Sequence, residues 1–361
     1  MGKIITFFNH KWWVGKTTLV HNVAFALADL WKKILVIDAD PQMNLTAAMY
    51  WLSTSMEYST DNTSKWSQYI QKYISFSEYL RRDLQGEPCS KEKFNAVSRT
   101  GNWSIDLISG DINLTSTEAN IYGIITSNND FFKEIPWKFE QSIRKNANDY
   151  DFVLIDTSPS ASSIINALLV LSSDYFIAPV SPSFFSLQAV DNLSTIFQNW
   201  LKLLAPYGLT AGLRNGLSFQ VKFLGVVVQL AKRFNGGWKA NMDWFARATE
   251  DWITEVNKSV KNFHKYVMRT DNAISEEDFQ TIFGTWNTPF IIEKCCDFTQ
   301  KLRTIAEKEG IPVIYLNQDI CKKFDKKVDV TKETGQYFKA LTYINTQYRK
   351  IASSLVRLES N

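Results

Sequence analysis

A loop near the start of the chain has the residue types needed to bind phosphate. It lies between an apolar run and a helical pattern, and reads H-K-W-W-V-G-K-T-T from His10 to Thr18. Backbone N–H groups at a helix start bind phosphate oxygens, because they point at the ligand and the helix dipole favours negative charge. Gly15-Lys16-Thr17 matches the end of a P-loop, in which the lysine contacts the β- and γ-phosphates and the hydroxyl ligates Mg²⁺. The residues predicted to contact a nucleotide are Lys11, Trp12, Trp13, Val14, Gly15, Lys16, Thr17 and Thr18.

Aspartates follow two other apolar runs and could hold the metal ion. Asp38 and Asp40 lie in D-A-D-P-Q directly after residues 34–37, and Asp156 follows residues 152–155. Carboxylates at the carboxyl ends of parallel strands face the ligand crevice of an open α/β sheet. An acid at a strand end beside a P-loop helps to hold Mg²⁺. The alternative for the first pair is a solvated loop.

The elements around these residues alternate between strands and helices. Most of the apolar runs are continuous, as in strands that are buried on both faces of a parallel sheet. Val20, Val23, Leu27 and Leu30 form an apolar face at helical spacing between the first two runs. We therefore predict a doubly wound α/β fold, with a mostly parallel sheet and helices on both faces. The predicted strands are at 4–8, 34–37, 105–108, 152–155, 175–180, 223–228 and 312–316.

The rest of the chain is predicted to add helices to this one domain. Residues 50–101 and 238–287 are more polar and have helical patterns, so we interpret both as helical insertions. Residues 333–358 are predicted to form a long final helix. The whole chain, 1–361, is then a single P-loop ATPase domain.

Charge and cysteine content exclude several classes of protein. The net charge is +3 from 40 basic and 37 acidic residues, so nucleic-acid binding would need a local basic patch. The four cysteines include no C-x-x-C pair, which argues against a disulfide framework or a structural zinc site. No apolar stretch approaches the roughly 20 residues that span a bilayer. These features predict a cytoplasmic protein without a stable membrane anchor.

Several motifs in order resemble the ParA/MinD family of deviant-Walker ATPases. They are F-x-N-x-K-x-x-V-G-K-T-T, V-I-D-A-D-P-Q-x-N-L-T, D-F-V-L-I-D-T-S-P-S, A-P-V-S-P followed by F-S-L-Q, and a late G-I-P-V. The resemblance covers about residues 1–320 and is closest to ParA-type (Soj-like) partition ATPases.

The resemblance implies roles for individual residues. Lys11 is where the family has a signature lysine that contacts the partner's phosphates across an ATP-sandwich dimer. Asp40 is where the family has the acid that orients the attacking water, so Lys11, Lys16 and Asp40 are the implied catalytic residues. Thr17, Asp38 and Asp156 are the implied Mg²⁺ side of the site. The implied partners are a second copy of the chain, a ParB-like protein and non-specific DNA, which implies association with the nucleoid.

Tryptophans replace glycines at the most sensitive points of this pattern. The family has two glycines at the positions of Trp12 and Trp13, and usually a helix-ending glycine at that of Trp31. Because glycine lets the backbone approach phosphate and adopt left-handed angles, we expect the two indoles to obstruct the nucleotide or the dimer seam. The chain has 15 glycines and 12 tryptophans. A UGA codon that encodes glycine, translated as tryptophan, would explain this bias; a natural pseudo-ATPase and a deliberately blocked P-loop are the alternatives.

Three functions remain open at this stage. The first is a ParA-like ATPase that partitions plasmids or chromosomes and binds DNA non-specifically. The second is a MinD-like membrane-associated ATPase, whose amphipathic helix would carry Tyr348, Ile351, Leu355 and Leu358 beside basic residues. The third is an interaction module that has the fold and does not turn over ATP.

Overall fold

The predicted doubly wound α/β fold is confirmed by the computed structural model, which describes residues 1–54, 72–87, 89, 93–97, 104–127, 129–231, 247–284, 288–297 and 300–360. Its sheet has eight strands in the order β3-β4-β2-β5-β1-β6-β7-β8. All neighbours are parallel except β3, which pairs antiparallel with β4. The strands are β1 Lys3–Phe7, β2 Lys33–Ala39, β3 Asn95–Ala96, β4 Ser104–Ile108, β5 Phe152–Thr157, β6 Tyr175–Val180, β7 Lys222–Ala231 and β8 Ile291–Cys296.

Helices connect the strands. The described helices are α1 Lys16–Ala28, α2 Asn44–Thr54, α3 Phe76–Leu84, α4 Leu114–Thr126, α5 Ile135–Arg144, α6 Ile164–Ser172, α7 Phe184–Leu204, α8 Arg247–Met268, α9 Glu276–Phe283, α10 Gln300–Glu309, α11 Gln318–Phe324 and α12 Gln336–Val356.

The central strands are apolar on both sides because helices cover both faces of the sheet. The side chains of β5 are all buried, as are those of β2 after its first residue. In the pairing of β2 with β5, Ile37 lies opposite Ile155 and Asp38 lies opposite Asp156. The hydrophobic core therefore extends up to the strand ends, where the two carboxylates meet.

The prediction of a strand at 312–316 is wrong. Val313–Tyr315 is a single 3-10 turn, and the backbone N–H of Ile314 donates to Oδ1 of Asn22 on α1 (3.3 Å). Periodicity cannot distinguish a short buried strand from another short buried segment, and here the apolar side chains pack on a helix. The edge strand is instead β8, which the sequence reasoning missed because the charged pair Glu293-Lys294 interrupts its apolar pattern.

The two predicted insertions are only partly described. The segment 50–101 contains the helix α3, as predicted, but also the short strand β3, which was not predicted. Residues 55–71 and 98–101 of this segment lie outside the described part. The segment 238–287 contains the helices α8 and α9, as predicted. Residues 238–246 and 285–287 of this segment lie outside the described part. The division of the chain into one domain with insertions stays a prediction.

The C-terminal helix α12 packs against the domain. Its apolar stripe, consisting of Tyr348, Ile351, Leu355 and, beyond the helix, Leu358, is fully buried. Ion pairs from Arg349 to Asp29 and from Lys350 to Glu293, both 2.8 Å, flank the stripe. The apolar face that a membrane-bound helix would need is therefore occupied by the protein itself. Among the described residues, no helix is both long enough and apolar enough to cross a bilayer.

Candidate nucleotide-binding site

The phosphate-binding loop connects β1 to α1 and is fixed at its start by Asn9. The buried Asn9 side chain donates to the carbonyl of Pro179 (2.6 Å) and accepts from the backbone N–H of Lys11 (2.9 Å). These bonds anchor the start of the loop to the end of β6 and so fix the backbone position of Lys11. The sequence motif included Asn9, but nothing in the sequence indicated its partner.

The loop ends at Gly15, where the chain turns into α1. The φ angle of Gly15 is 76°, and a Cβ there would lie 3.3 Å from Cβ of Gln229, so both the angle and the space favour glycine. No side chain caps the N-terminus of α1, and its first turn has no acidic residue. The N–H groups at this helix start are thus left for an anion. Val14 is buried just before the turn, and the carbonyl of Thr18 accepts from Asn22 (2.8 Å).

Lys16, Thr17 and Asp156 form one buried cluster at the helix start. The Thr17 hydroxyl donates to Oδ2 of Asp156 (2.7 Å), and Nζ of Lys16 lies 3.9 Å from Oδ1 of the same carboxylate. Burial raises the pKa of Asp156 to about 6, although Lys16 and Thr17 act in the opposite direction. Oδ1 is buried and accepts no hydrogen bond from any residue that the structure describes. This oxygen is in place to accept a cation or a cation-bound water.

Asp38 lies beside Asp156 and is held by the backbone around it. Its Oδ2 accepts from the N–H and hydroxyl of Thr46 (2.8 and 2.6 Å), and its Oδ1 accepts from the N–H of Asp40 (3.1 Å). Burial, followed by repulsion from Asp156, raises the pKa of Asp38 to about 7. A pair of buried carboxylates whose pKa values are both raised is an arrangement that a divalent cation would stabilise.

These oxygens fit Mg²⁺ only if other ligands complete its shell. Thr17, Asp38 and Asp156 supply a hydroxyl and two carboxylates, which are hard donors of the kind Mg²⁺ prefers. The described residues contain no group of three or more His, Cys, Asp or Glu that could hold a metal ion. Mg²⁺ normally binds through one or two carboxylates, substrate phosphates and water, and this donor set agrees with that pattern.

A cavity of about 630 Å³ opens above the cluster, large enough for a nucleotide. The nearly buried Asp40 lies on one side, with its Oδ1 accepting from the N–H of Gln42 (2.9 Å). His21 lies on another wall, and burial lowers its pKa to about 4, so it is neutral near pH 7. Sequence reasoning missed His21, because one histidine within a helical pattern carries no signal. The lining includes Lys11, Trp12, Trp13, Val14, Gly15, Lys16, Thr17, Thr18, Asn22, Asp40, Gln42, Arg303, Glu307, Gly310 and Val313.

The tryptophans of the loop are largely exposed to solvent. Trp12 is 54% and Trp13 is 91% exposed, whereas Lys16 and Asp156 are buried. The backbone at Trp13 has a φ of 63° and at Trp31 a φ of 64°, angles that a bulky residue adopts at a cost. The expected left-handed strain is present at Trp13 and absent at Trp12. Both tryptophans also line the candidate nucleotide cavity, so the expected obstruction of the nucleotide or of the dimer seam stays a prediction.

A comparison with known families decides the class of protein. A family model described as an AAA domain matches residues 2–205, more than half of the chain. The chain is a member of the ParA-type family of P-loop ATPases. Among curated relatives, the sporulation initiation inhibitor Soj of Bacillus subtilis is 26% identical over 194 residues, covering 54% of this chain and 64% of Soj. The probable plasmid-partitioning protein ParA of Thermus thermophilus is 24% identical over 202 residues, 56% of this chain and 52% of that protein.

Solved structures of ParA-type proteins share the fold along nearly the whole chain. The pNOB8 ParA structure superposes with a TM-score of 0.59 at 19% identity, covering 100% of this chain and 99% of that one. Apo McdA from Cyanothece superposes with a TM-score of 0.57 at 15% identity, covering 97% and 99%. At these identities the likeness concerns the fold. The chain spans only 49–65% of the length of eight curated relatives that it matches in sequence.

Proposed function

We propose that this chain is a ParA-like ATPase that binds and hydrolyses ATP with Mg²⁺ and acts in the partitioning of DNA. The observation that carries the proposal is the buried cluster of Lys16, Thr17, Asp38 and Asp156 at an uncapped helix start. A buried lysine beside two carboxylates with raised pKa is a costly arrangement for folding alone. It becomes favourable when phosphate and a divalent cation bring compensating charges.

Each residue has a distinct role in this proposal. Lys16 and the N–H groups at the start of α1 bind the phosphates. Thr17 and Asp156, with Asp38 behind them, would hold Mg²⁺, which would supply positive charge that stabilises the phosphates during hydrolysis. Asp40 orients the attacking water at the γ-phosphate. Lys11 contacts the phosphates of a second copy of the chain in an ATP-bound sandwich dimer.

Partners and location are proposed from the relatives. One of the solved neighbours, with a TM-score of 0.54, is pNOB8 ParA bound to non-specific DNA. We propose that this chain also binds DNA without sequence preference, in the cytoplasm at the nucleoid, with a ParB-like protein as partner. Phosphate contacts require such binding to weaken steeply with salt.

The experiment is to measure ATP binding, ATP hydrolysis and DNA binding on one preparation. We expect ATP-dependent binding to DNA of arbitrary sequence at low salt, lost on raising salt, and no binding to anionic vesicles. Binding to vesicles instead of DNA would favour the MinD-like alternative, against which the buried stripe of α12 already argues. Absence of both ATP binding and hydrolysis would overturn the proposal.

The silent interaction module is the second candidate, and one observation favours it. Trp13 holds a left-handed backbone angle in the middle of the phosphate loop. If the tryptophans are genuine, the chain could have the fold without turnover. An ATP-binding assay on the chain with Trp12 and Trp13 and on its double-glycine form separates the two candidates.

A further inference from the structure

The hydroxyl of Thr46 joins three segments beside the proposed catalytic acid. It donates to Oδ2 of Asp38 (2.6 Å), at the end of β2, and accepts from the backbone N–H of Gly110 (2.8 Å), after β4. Thr46 itself lies in the first turn of α2 and is fully buried. The side chain therefore uses its hydroxyl as donor and acceptor at once, and its own backbone N–H also bonds to Asp38 (2.8 Å).

These bonds close the loop that carries Asp40. Asp38 and Thr46 bracket the loop, so their contact fixes the distance between its two ends. Inside it, the N–H of Asp40 donates to Asp38 (3.1 Å), and the carbonyl of Asp40 accepts from Met43 (2.9 Å). Met43 has a φ of 59°, a strained angle that the surrounding bonds must hold. The orientation of Asp40 thus depends on the contact between Asp38 and Thr46.

Gly110 packs closely against the same loop from the other side. A Cβ at this glycine would lie 2.9 Å from the carbonyl oxygen of Asp40 and 3.0 Å from Cγ of Asp38. Real Cβ atoms do not approach backbone oxygen so closely without displacing it. The absence of a side chain at Gly110 is therefore what allows its N–H to bond to Thr46 while the Asp40 loop stays in place.

We propose that Thr46 is a positioning residue for ATP hydrolysis, which holds the Asp40 loop in place by fixing Asp38 and Gly110 at its base. This inference rests on the proposed function, since it assigns Thr46 to the step in which Asp40 orients water. Thr46 is fully buried and is not among the residues that line the nucleotide cavity. Its effect is on the geometry of Asp40, and misplacement of a catalytic group by about 1 Å can cost about 100-fold in rate.

The first test compares Thr46→Val with Thr46→Ser. Valine has the shape of threonine but neither donates nor accepts, whereas serine keeps the hydroxyl. We expect Thr46→Val to lower kcat about 10- to 100-fold, with the dissociation constant for ATP unchanged, and Thr46→Ser to restore most of kcat. Thr117→Val is the matched control, because among the described residues its hydroxyl donates only to the carbonyl of Asn113 (3.2 Å), directly before α4. Circular dichroism and thermal melting confirm that each variant is folded.

The second test approaches the loop through Gly110. We expect Gly110→Ala to give the same split between kcat and ATP affinity, because the added methyl group displaces the Asp40 backbone. Gly123→Ala is the control, since a Cβ on Gly123 meets no atom within 4 Å. All variants are compared in the chain with Trp12 and Trp13 and in its double-glycine form.

The possible outcomes separate this inference from the proposed function. If Thr46→Val keeps the full kcat, if serine rescues no better than valine, or if ATP affinity falls in parallel with kcat, the positioning role is wrong while the ATPase stands. If neither parent form hydrolyses ATP, the proposed function is wrong and this inference goes with it. A drop in kcat alone, rescued by serine and reproduced by Gly110→Ala, supports it.

Discussion

The two walls of the nucleotide cavity differ in how far their charged groups are held by the chain itself. On the buried wall, Lys16 and Thr17 contact Asp156, which lies behind the cavity lining as Asp38 does, and Asp38 accepts three hydrogen bonds. On the open wall, Lys11 makes no ion pair with any described residue, and the neighbouring Trp13 is almost fully exposed.

The contrast indicates which part of the site is complete in one copy of the chain and which part needs a second molecule. The buried wall needs only phosphate and a cation to balance its charges. The open wall presents a cation and two aromatic rings with no partner of their own in the described structure, which is the arrangement expected of a surface that meets a second molecule. We therefore expect mutations on the buried wall to change ligand binding, and those on the open wall to change association.

The largest effect is expected from Lys16→Ala on the buried wall. It removes the charge nearest the phosphate site and leaves Asp156 without its cation, so ATP affinity should fall by at least about 100-fold, the equivalent of about 3 kcal/mol. Calorimetry with ATP and Mg²⁺ measures it. Lys11→Ala is the control from the open wall and should bind ATP as a monomer with the parent affinity. Unchanged binding by Lys16→Ala would remove this lysine from the site.

The next effect concerns association rather than binding. Asp40→Ala should trap an ATP-bound dimer, because ATP binds but the attacking water is no longer oriented. Lys11→Ala should prevent that dimer, because it removes a charge supplied to the partner's phosphates, by the logic of an arginine finger. Sedimentation velocity with ATP distinguishes the two states. Monomers in both variants would contradict the role given to Asp40.

A smaller effect is expected from Trp12→Gly combined with Trp13→Gly. The sequence predicts that the two indoles obstruct the nucleotide or the dimer seam. Because both indoles are largely exposed to solvent, we expect ATP affinity to rise less than ATP-dependent dimerisation. Relief of the left-handed angle at Trp13 contributes only about 1–2 kcal/mol. Titrating dimer formation and ATP affinity separately measures the two changes, and a larger gain in affinity would place the obstruction at the nucleotide.

The origin of the tryptophans is tested at Trp31, far from any proposed contact with ATP. Its N–H bonds to the carbonyl of Ala28 (2.9 Å) in the left-handed turn that ends α1. The conformation is one that glycine favours, as at Trp13, and the genomic codons at positions 12, 13 and 31 would show whether glycine is encoded there. Ordinary UGG codons at all three would contradict the misreading hypothesis.

The sequence predicted the central fold well because its signals are local. Continuous apolar runs that end in Asp38 and Asp156 predicted both that the strands are parallel and buried and that the two acids meet at one edge of the sheet. The last edge strand was missed because Glu293 and Lys294 break its pattern, and 312–316 was mistaken for a strand because a buried 3-10 turn is equally apolar. Local composition does not contain the long-range packing that decides such cases.

The site was predictable in its residue types and not in its supporting contacts. The P-loop motif and the acids could be recognised from order and spacing. The bonds that hold them, from Asn9 to Pro179 and from Thr46 to Gly110, connect residues far apart in sequence, so no pattern within one segment reveals them. The left-handed backbone angle at Trp13 is likewise not indicated by residue identity, since tryptophan rarely adopts it.

The last expected effect is a pH dependence of stability, rather than of binding, from the buried wall. In the folded chain the pKa of Asp38 is raised from 3.8 to about 7, mainly by burial and then by Asp156. Between these values the folded state retains a proton that the unfolded state loses, so the free energy of unfolding falls as pH rises, by up to about 1.4 kcal/mol per pH unit. The contribution is fully present below the unfolded pKa and is lost as pH passes through 7.

Asp38→Asn removes this titration, so the decline in unfolding free energy between pH 5 and pH 8, without nucleotide, should be shallower than in the parent. The comparison uses the slope, because the amide also alters the bonds to Thr46 and shifts stability at every pH. Asp251→Asn, at an exposed position on α8, is the control and should leave the slope unchanged. Denaturant unfolding at several pH values measures it. Equal slopes for Asp38→Asn and the parent would mean that Asp38 is ionised throughout this range, and that the buried wall is balanced without a cation.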